Sequence, residues 1–134
     1  MTFQDAAEVT KYIGGIFESA FADPEIGPKL EATGLVLQFS FREPDCILTI
    51  DMGGKAVSAG AVDGLPPSAT MAMTADIGNA YWQGKVNLPL AMAKSKIKVE
   101  GNVASLLKLA PMGKKLYPVY IGNLESDGRQ DLLV

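Results

Sequence analysis

Histidine is absent from the 134 residues of this sequence, and cysteine occurs only once. Histidine is the most common general base and a principal zinc ligand, so its absence excludes Ser-His and Cys-His catalytic pairs and most zinc sites. The single cysteine, Cys46, excludes an internal disulfide, and its place within an apolar run predicts a buried structural thiol, not a nucleophile. Paired carboxylates at a useful spacing are also missing. We therefore expect no catalytic residue and no metal site.

Long apolar runs are missing as well. No window approaches the roughly 18 apolar residues of a membrane-spanning helix. The opening residues MTFQDAAEVTKY have neither the basic start nor the apolar stretch of a signal peptide. A chain of this length is typical of one domain, so we expect residues 1–134 to form a single cytoplasmic domain. Six methionines and an apolar fraction of 48% are high for such a protein, and methionine suits adaptable apolar surfaces.

Acidic residues are scarce in one part of the chain. Between residues 85 and 115 there is only Glu100 against seven lysines, whereas residues 1–84 carry eleven acidic and four basic side chains. This local positive excess predicts attraction to phosphate groups or anionic lipid. The acidic remainder and the lack of interleaved aromatic residues argue against nucleic acid. A solvated surface whose lysines protect the edge of a sheet is the alternative interpretation.

Two helices are predicted at the start of the chain. A helical period covers residues 3–22 and follows a capping pattern that begins at Thr2. Gly14-Gly15 in the middle of this helix predicts either a bend or a closely packed neighbour, because glycine destabilises a helix interior. A second, short helix is predicted to begin after Asp23-Pro24 and to end at Gly34.

Strands are predicted where the apolar period changes to two. They cover residues 35–42, 46–52, 55–61, 69–75 and 96–100. Gly53-Gly54 predicts a tight hairpin turn between the second and third strands. The first three strands form an antiparallel meander, and helices separate the last two. We therefore predict an α+β fold with a five-stranded mixed, mostly antiparallel sheet and helices covering one face.

Short, separately capped helices are predicted around the last strand. Asp76 is placed as the N-cap of the first of them, which ends at Gly84. Pro89 lies in the first turn of the second helix. Asn102 caps the third helix, which is predicted to end before Pro111 because proline interrupts a helix.

The C-terminal residues are predicted to form one more helix and then a tail. Leu116 and Tyr120 share one side of this helix, which Pro118 is predicted to kink. The polar segment that follows is predicted to end the ordered structure at Gly128. The last residues, Leu132-Leu133-Val134, are then left as a tail.

Large apolar residues are numerous in the second half of the chain. One interpretation is that each of them belongs to the core. Because several short helices leave close packing over a five-stranded sheet incomplete, we predict instead a ligand cavity between the helices and the sheet. The residues predicted to contact a ligand are Met71, Met73, Ile77, Trp82, Leu90, Met92, Leu106, Leu109, Leu116 and Tyr120.

The chain resembles the sterol carrier protein type 2 domain family in the order of its elements and in several motifs. The matching motifs are Met71 to Ala75, Asp76 with Trp82-Gln83-Gly84-Lys85, Pro89-Leu90-Ala91-Met92, Lys96 to Asn102, and Leu106-Leu107-Lys108-Leu109. Ser95 departs from the family pattern, which usually has glycine at this position. The resemblance implies an apolar tunnel that binds fatty acids, fatty acyl-CoA, phospholipids or sterols, without a cofactor and without catalysis.

The first hypothesis is therefore a non-enzymatic lipid carrier with an acyl chain in the cavity. Lysines of the basic stretch are predicted to hold a headgroup or to make weak contact with an anionic membrane. They are Lys94, Lys96, Lys98, Lys108, Lys114 and Lys115. Two other hypotheses remain: an accessory module whose apolar surface binds a protein partner or forms a homodimer, and an acyl-CoA-handling enzyme that uses Asp76 or Glu100.

Overall fold

The structure, a computed structural model, describes residues 3–134 and is built around a five-stranded sheet. The strands are β1 (Val36–Arg42), β2 (Cys46–Asp51), β3 (Ala56–Ala59), β4 (Ala69–Thr74) and β5 (Lys98–Gly101). Their order across the sheet is β3-β2-β1-β4-β5. β1 and β4 are parallel, and the other neighbouring pairs are antiparallel. The predicted α+β fold with a mixed, mostly antiparallel sheet is confirmed.

The sheet has one apolar face that is buried. Leu37, Phe39 and Phe41 of β1 all lie on this inner face, as their alternation predicts. In the register of the sheet, Phe39 lies between Leu48 of β2 and Met71 of β4. The alternate residues of β4, which point to the outer face, are partly exposed. The helices that matter for the site therefore pack on the inner face.

The N-terminal helix contains a wider, π-helical turn. It consists of α1 (Ala6–Val9), a π-helical segment (Thr10–Gly14) and α2 (Gly15–Ala22). The Asp5 side chain caps its start by accepting a hydrogen bond from the Glu8 N–H, whereas Thr2 of the predicted cap lies outside the described residues. A Cβ on Gly14 would lie 3.3 Å from Val57 of β3. The closely packed neighbour expected at this glycine is therefore β3.

The turn between β2 and β3 is longer than predicted. Four residues, 52–55, connect the two strands, not Gly53-Gly54 alone. The Asp51 carboxylate accepts a hydrogen bond from the Gly54 N–H at 3.1 Å and holds the loop. Met52 turns inward and is buried. Because the loop takes these residues, β3 begins at Ala56 and is shorter than the predicted strand.

Thr74, not Asp76, caps the helix that follows β4. The remaining helices are α3 (Ile26–Thr33), α4 (Ala75–Tyr81), α5 (Leu88–Ala93), α6 (Val103–Gly113) and α7 (Tyr117–Ser126). The Thr74 hydroxyl accepts a hydrogen bond from the Ile77 N–H at 3.2 Å. The strand runs directly into the helix at this threonine, so Asp76 lies inside the first turn. The predicted cap at Asp76 is therefore wrong by two residues, while the predicted end of α3 at Gly34 is confirmed.

Three boundaries in the second half also differ from the prediction. The N–H groups of Lys96 and Ile97 both donate to the Ala91 carbonyl, so these residues close the end of α5 and do not belong to β5. α6 continues through Pro111, which is exposed, so the predicted end of this helix before the proline is wrong. Pro118 lies in the first turn of α7, where a helix needs no N–H donor, and the predicted kink is wrong.

The C-terminal residues are not a tail. A short 3-10 helix (Gln130–Leu132) follows Gly128, and the Leu132 side chain is fully buried. Arg129 holds this segment by donating hydrogen bonds to the Glu8 and Asp131 carboxylates, at 2.7 Å and 3.0 Å. The sequence of this segment resembles a solvated terminus because charged residues lie next to its one fully buried apolar residue, Leu132. The prediction that ordered structure ends at Gly128 is therefore wrong.

A substitution at Gly78 tests the close packing of α4 on the sheet. A Cβ at this position would lie 2.7 Å from the Phe41 ring, so we expect Gly78→Ala to lower the free energy of unfolding by about 1–3 kcal/mol. Gly122 of α7 has no atom within 4 Å of a Cβ position. The matched variant Gly122→Ala should raise the free energy of unfolding by about 0.5–1 kcal/mol. Urea denaturation measures both values, and equal effects would contradict this packing.

Acid sensitivity tests the role of Arg129. Hydrogen bonds from Arg129 hold the pKa of Glu8 below its ordinary value of 4.5, and also lower the pKa of Asp131. The stability that these groups contribute is complete above their unfolded pKa values and is lost as the pH falls through the lower folded values. Between about pH 6 and about pH 3 the parent chain should therefore lose more stability than Arg129→Gln. Lys55→Gln, which removes an exposed partner of Glu31, should behave like the parent.

Candidate functional site

An apolar cavity, here called the inner cavity, lies between the inner face of the sheet and the helices. The sheet side is lined by Leu37, Phe39, Phe41, Met52, Met71 and Met73, and the helical side by Phe17, Ile26, Leu30, Tyr81, Trp82, Leu88, Leu106, Leu109, Ala110, Met112, Gly113 and Leu116. Every lining side chain is aliphatic, aromatic or a thioether. Such a lining favours a hydrocarbon ligand and offers little to a polar one.

The inner cavity is narrow. Its volume is about 60 Å³. In this conformation the inner cavity is therefore too small for a long hydrocarbon chain and must widen to take one up.

Aromatic rings form a continuous path from the sheet to the helices along this cavity. Phe39 stacks on Phe41 with 5.9 Å between ring centroids, and Phe17 of α2 lies 5.6 Å from Phe39. Trp82, which follows α4, meets Phe17 edge-on at 5.4 Å and is itself buried. The indole ring of Trp82 therefore reports directly on what occupies the cavity.

Helix α6 forms the outer wall of the inner cavity and packs weakly. Of its eleven residues only Leu106 is buried. Leu109, Ala110, Met112 and Gly113 line the cavity yet remain partly exposed. Because few of its side chains are enclosed, α6 loses few buried contacts when it moves away from the sheet.

The ten sequence-predicted ligand contacts fall into two groups in the structure. Six of them line the inner cavity: Met71, Met73, Trp82, Leu106, Leu109 and Leu116. The other four lie elsewhere. Ile77 and Met92 pack partly buried against the core, Leu90 is 52% exposed on α5, and Tyr120 is fully buried.

Tyr120 belongs to a buried polar network that joins α4, α7 and the C-terminal residues. Its hydroxyl donates to Asn79 Oδ1 at 2.6 Å. Asn79 Nδ2 and Gln83 Nε2 both donate to the Leu132 carbonyl, at 2.7 Å and 2.9 Å. Burial raises the pKa of Tyr120, so this hydroxyl stays protonated and remains a donor. The network thus accounts for these polar residues as structural elements that hold α4 and, with it, Trp82.

A second, wider depression adjoins the inner cavity and is here called the outer crevice. Its volume is about 680 Å³, and it lies between the α4–α5 connection and the outer side of α6. Tyr81, Leu88 and Ala110 line both spaces and form the wall between them. Lys85 and Lys114 are the charged residues of its lining.

The six lysines predicted to contact a headgroup or membrane are all exposed, but they do not share one place. Only Lys114 lines the outer crevice. Lys115 forms an ion pair with Glu25 at 3.1 Å. The remaining four are Lys94 after α5, Lys96 in the turn that follows it, Lys98 in β5 and Lys108 in α6.

Neither a metal centre nor a membrane span is found in the described part of the chain. Within residues 3–134 no three histidine, cysteine or carboxylate side chains are grouped as metal ligands. No helix among these residues is both long and apolar enough to cross a bilayer. Cys46 is buried, as predicted, with its sulfur 3.6 Å from the Thr10 hydroxyl.

Comparison with protein families settles the assignment. The model of the SCP-2 sterol transfer family matches residues 16–114, which include the five strands and every residue that lines the inner cavity except Leu116. The chain belongs to the SCP-2 sterol transfer family. The resemblance inferred from the motifs is therefore confirmed. A search of curated protein sequences finds no match.

Solved structures of sterol carrier proteins share the fold of this SCP-2 family chain. Sterol carrier protein domain 2 of Helicoverpa armigera is 22% identical, with 83% of this chain and 89% of that chain covered and a TM-score of 0.68. Apo sterol carrier protein 2 from Yarrowia lipolytica is 16% identical, with 77% of this chain and 95% of that chain covered and a TM-score of 0.63. Sterol carrier protein 2 from Aedes aegypti in complex with palmitate is 22% identical, with 85% of this chain and 97% of that chain covered and a TM-score of 0.57. At these identities the likeness shows the fold.

Sequence reasoning missed much of the lining in this SCP-2 family chain. The prediction placed the ligand contacts in the second half, but seven lining residues come from the first half: Phe17, Ile26, Leu30, Leu37, Phe39, Phe41 and Met52. The alternation of β1 already directed Leu37, Phe39 and Phe41 to one face. Only the parallel pairing with β4 shows that this face is shared with Met71 and Met73.

Proposed function

We propose that this chain is a non-catalytic lipid carrier that binds one hydrocarbon tail in the inner cavity. The observation that carries the proposal is a cavity lined by aliphatic, aromatic and thioether groups whose outer wall, α6, encloses only Leu106. A wall of this kind can move outward and return at small cost. The family match and the Aedes aegypti relative solved with palmitate support a lipid as the ligand.

Tail burial is the main favourable contribution to binding in this proposal. Each buried methylene contributes about 0.8 kcal/mol, so a twelve-carbon tail offers roughly 9 kcal/mol before the costs of association and of widening the cavity. The six predicted contacts that line the cavity, from Met71 to Leu116, are the tail contacts that the proposal retains. The bound tail supplies van der Waals contacts that the lining of the empty inner cavity lacks.

Transfer of the lipid requires a meeting with a membrane, and we place this contact on α5 and α6. Leu90 and Leu107 are 52% and 40% exposed, and the neighbouring residues Pro89 and Pro111 lie with Leu107 along the outer crevice. Exposed apolar groups of this kind mark interaction surfaces. Lysines on these and adjoining segments, Lys94, Lys96, Lys98 and Lys108 among them, favour a bilayer with anionic headgroups.

Filling the inner cavity tests lipid binding. Delipidated protein should bind palmitate at one molecule per chain, as measured by native mass spectrometry and by Trp82 fluorescence. A Cβ on Gly113 would point toward Trp82 at 3.6 Å. We therefore expect Gly113→Phe to occupy the cavity and to weaken binding by about tenfold or more.

The control for this experiment is Gly122→Phe, which adds the same side chain where α7 faces open space. Circular dichroism verifies that both variants are folded. A folded parent that takes up no lipid and forms dimers at rising concentration, measured by light scattering, would falsify the carrier proposal and favour a module that binds a protein partner or a second copy.

Removing the exposed leucines tests the membrane contact. The double variant Leu90→Ser/Leu107→Ser should bind vesicles containing phosphatidylserine several-fold more weakly than the parent, because it inserts less apolar surface. Binding of the parent should also weaken as salt is raised, since the lysine contribution is screened. Ile47→Ser changes a leucine-sized residue that is 40% exposed in β2 and serves as the control. If the control loses as much vesicle binding as the double variant, measured by sedimentation, the proposed membrane contact on α5 and α6 is wrong.

A further inference from the structure

The outer crevice adds a charged space next to an uncharged one. The inner cavity has no charged lining residue, whereas the outer crevice has Lys85 and Lys114 and no acidic lining residue. Only one layer of side chains, Tyr81, Leu88 and Ala110, divides the two spaces. A ligand that crosses this layer would have one end among apolar groups and the other beside two cations.

Two different segments of the chain supply the lysines of the outer crevice. Lys85 follows Gly84, whose positive φ of 78° turns the chain after α4. A Cβ on Gly84 would lie 3.1 Å from the Tyr117 ring, so the turn packs closely on the start of α7. Lys114 follows α6 directly. Among the ion pairs formed within residues 3–134, neither lysine takes part, in contrast to Lys115, which is held by Glu25.

Two tyrosines add polar groups to the same space. The rings of Tyr81 and Tyr117 both line the outer crevice and meet edge-on at 6.2 Å. Burial, with a smaller contribution from Tyr117, raises the pKa of Tyr81, so its hydroxyl stays neutral and can donate a hydrogen bond to an anion. Tyr81 lines both spaces, so its side chain lies beside the layer that a ligand would cross.

We propose that the outer crevice is the headgroup subsite for an anionic single-chain lipid, with Lys85 and Lys114 pairing with a carboxylate or phosphate while the tail lies in the inner cavity. This rests on the proposed function and narrows its ligand class from lipids in general to those with one tail and a charged end. Hydrogen bonds between ionised partners are stronger than those between neutral groups. The subsite therefore favours anionic over neutral lipids and also adds to affinity. Of the lysines that the sequence indicated, it uses Lys114 and adds Lys85.

The experiment compares ligands that share a tail and differ in charge. Palmitate, hexadecyl phosphate and hexadecanol are titrated against the parent, against Lys85→Gln/Lys114→Gln and against the matched control Lys29→Gln/Lys55→Gln, which changes two exposed lysines outside both spaces. Trp82 fluorescence and native mass spectrometry measure binding. The crevice variant should bind both anions about tenfold more weakly and hexadecanol within about twofold of the parent, while the control variant keeps parent affinity for all three. Inorganic phosphate alone should not compete, because the subsite needs the tail.

The outcomes separate this proposal from the carrier proposal. If no ligand binds to any folded variant, the carrier function itself fails. If all three ligands bind but the crevice variant loses hexadecanol as strongly as palmitate, or the control loses the anions equally, the subsite is overturned and the carrier function stands. Competition by inorganic phosphate at the affinity of hexadecyl phosphate would show an independent anion site and also overturn the proposal.

Discussion

The parallel pairing of β1 with β4 is the constraint on which the site depends. It places Phe39 beside Met71 and Phe41 beside Met73, although more than thirty residues separate these partners in the chain. Because β4 runs into α4 through the Thr74 cap, the same pairing sets α4 against Phe41 at Gly78 and delivers Trp82 onto Phe17. One strand pairing therefore brings two halves of the chain together around one apolar space.

The C-terminal end of α4 is held by a buried polar network, whereas α6 is not. The network of Asn79, Gln83 and Tyr120 satisfies its buried polar groups, and a satisfied network specifies one arrangement. α6 has only Leu106 to anchor its length. A floor held by this network and a wall held by one buried leucine fit the proposed uptake of a long ligand, because the movement needed is confined to a helix that encloses few of its side chains.

Much of the fold was predictable because its signals are local. The period-two alternation of Leu37, Phe39 and Phe41 identified β1 and its inner face, and Gly34 marked the end of α3. The predictions were wrong where the conformation of a segment depends on a partner that is distant in the sequence. The N–H of Ile97 bonds to Ala91 and not to a strand, and Leu132 is anchored by side chains some fifty residues earlier. For the cavity, only six of the eighteen lining residues were anticipated, all of them from β4 onward.

The sequence by itself determined the family, because the motifs between Met71 and Leu109 are short runs of neighbouring residues. Alternation and capping, which act over a few residues, also determined the sheet and most helices. Tertiary structure alone decided which apolar residues enclose space and which, like Tyr120, fill the core. It also decided which lysines face the outer crevice, since a charged side chain has no periodic signal to show where it lies.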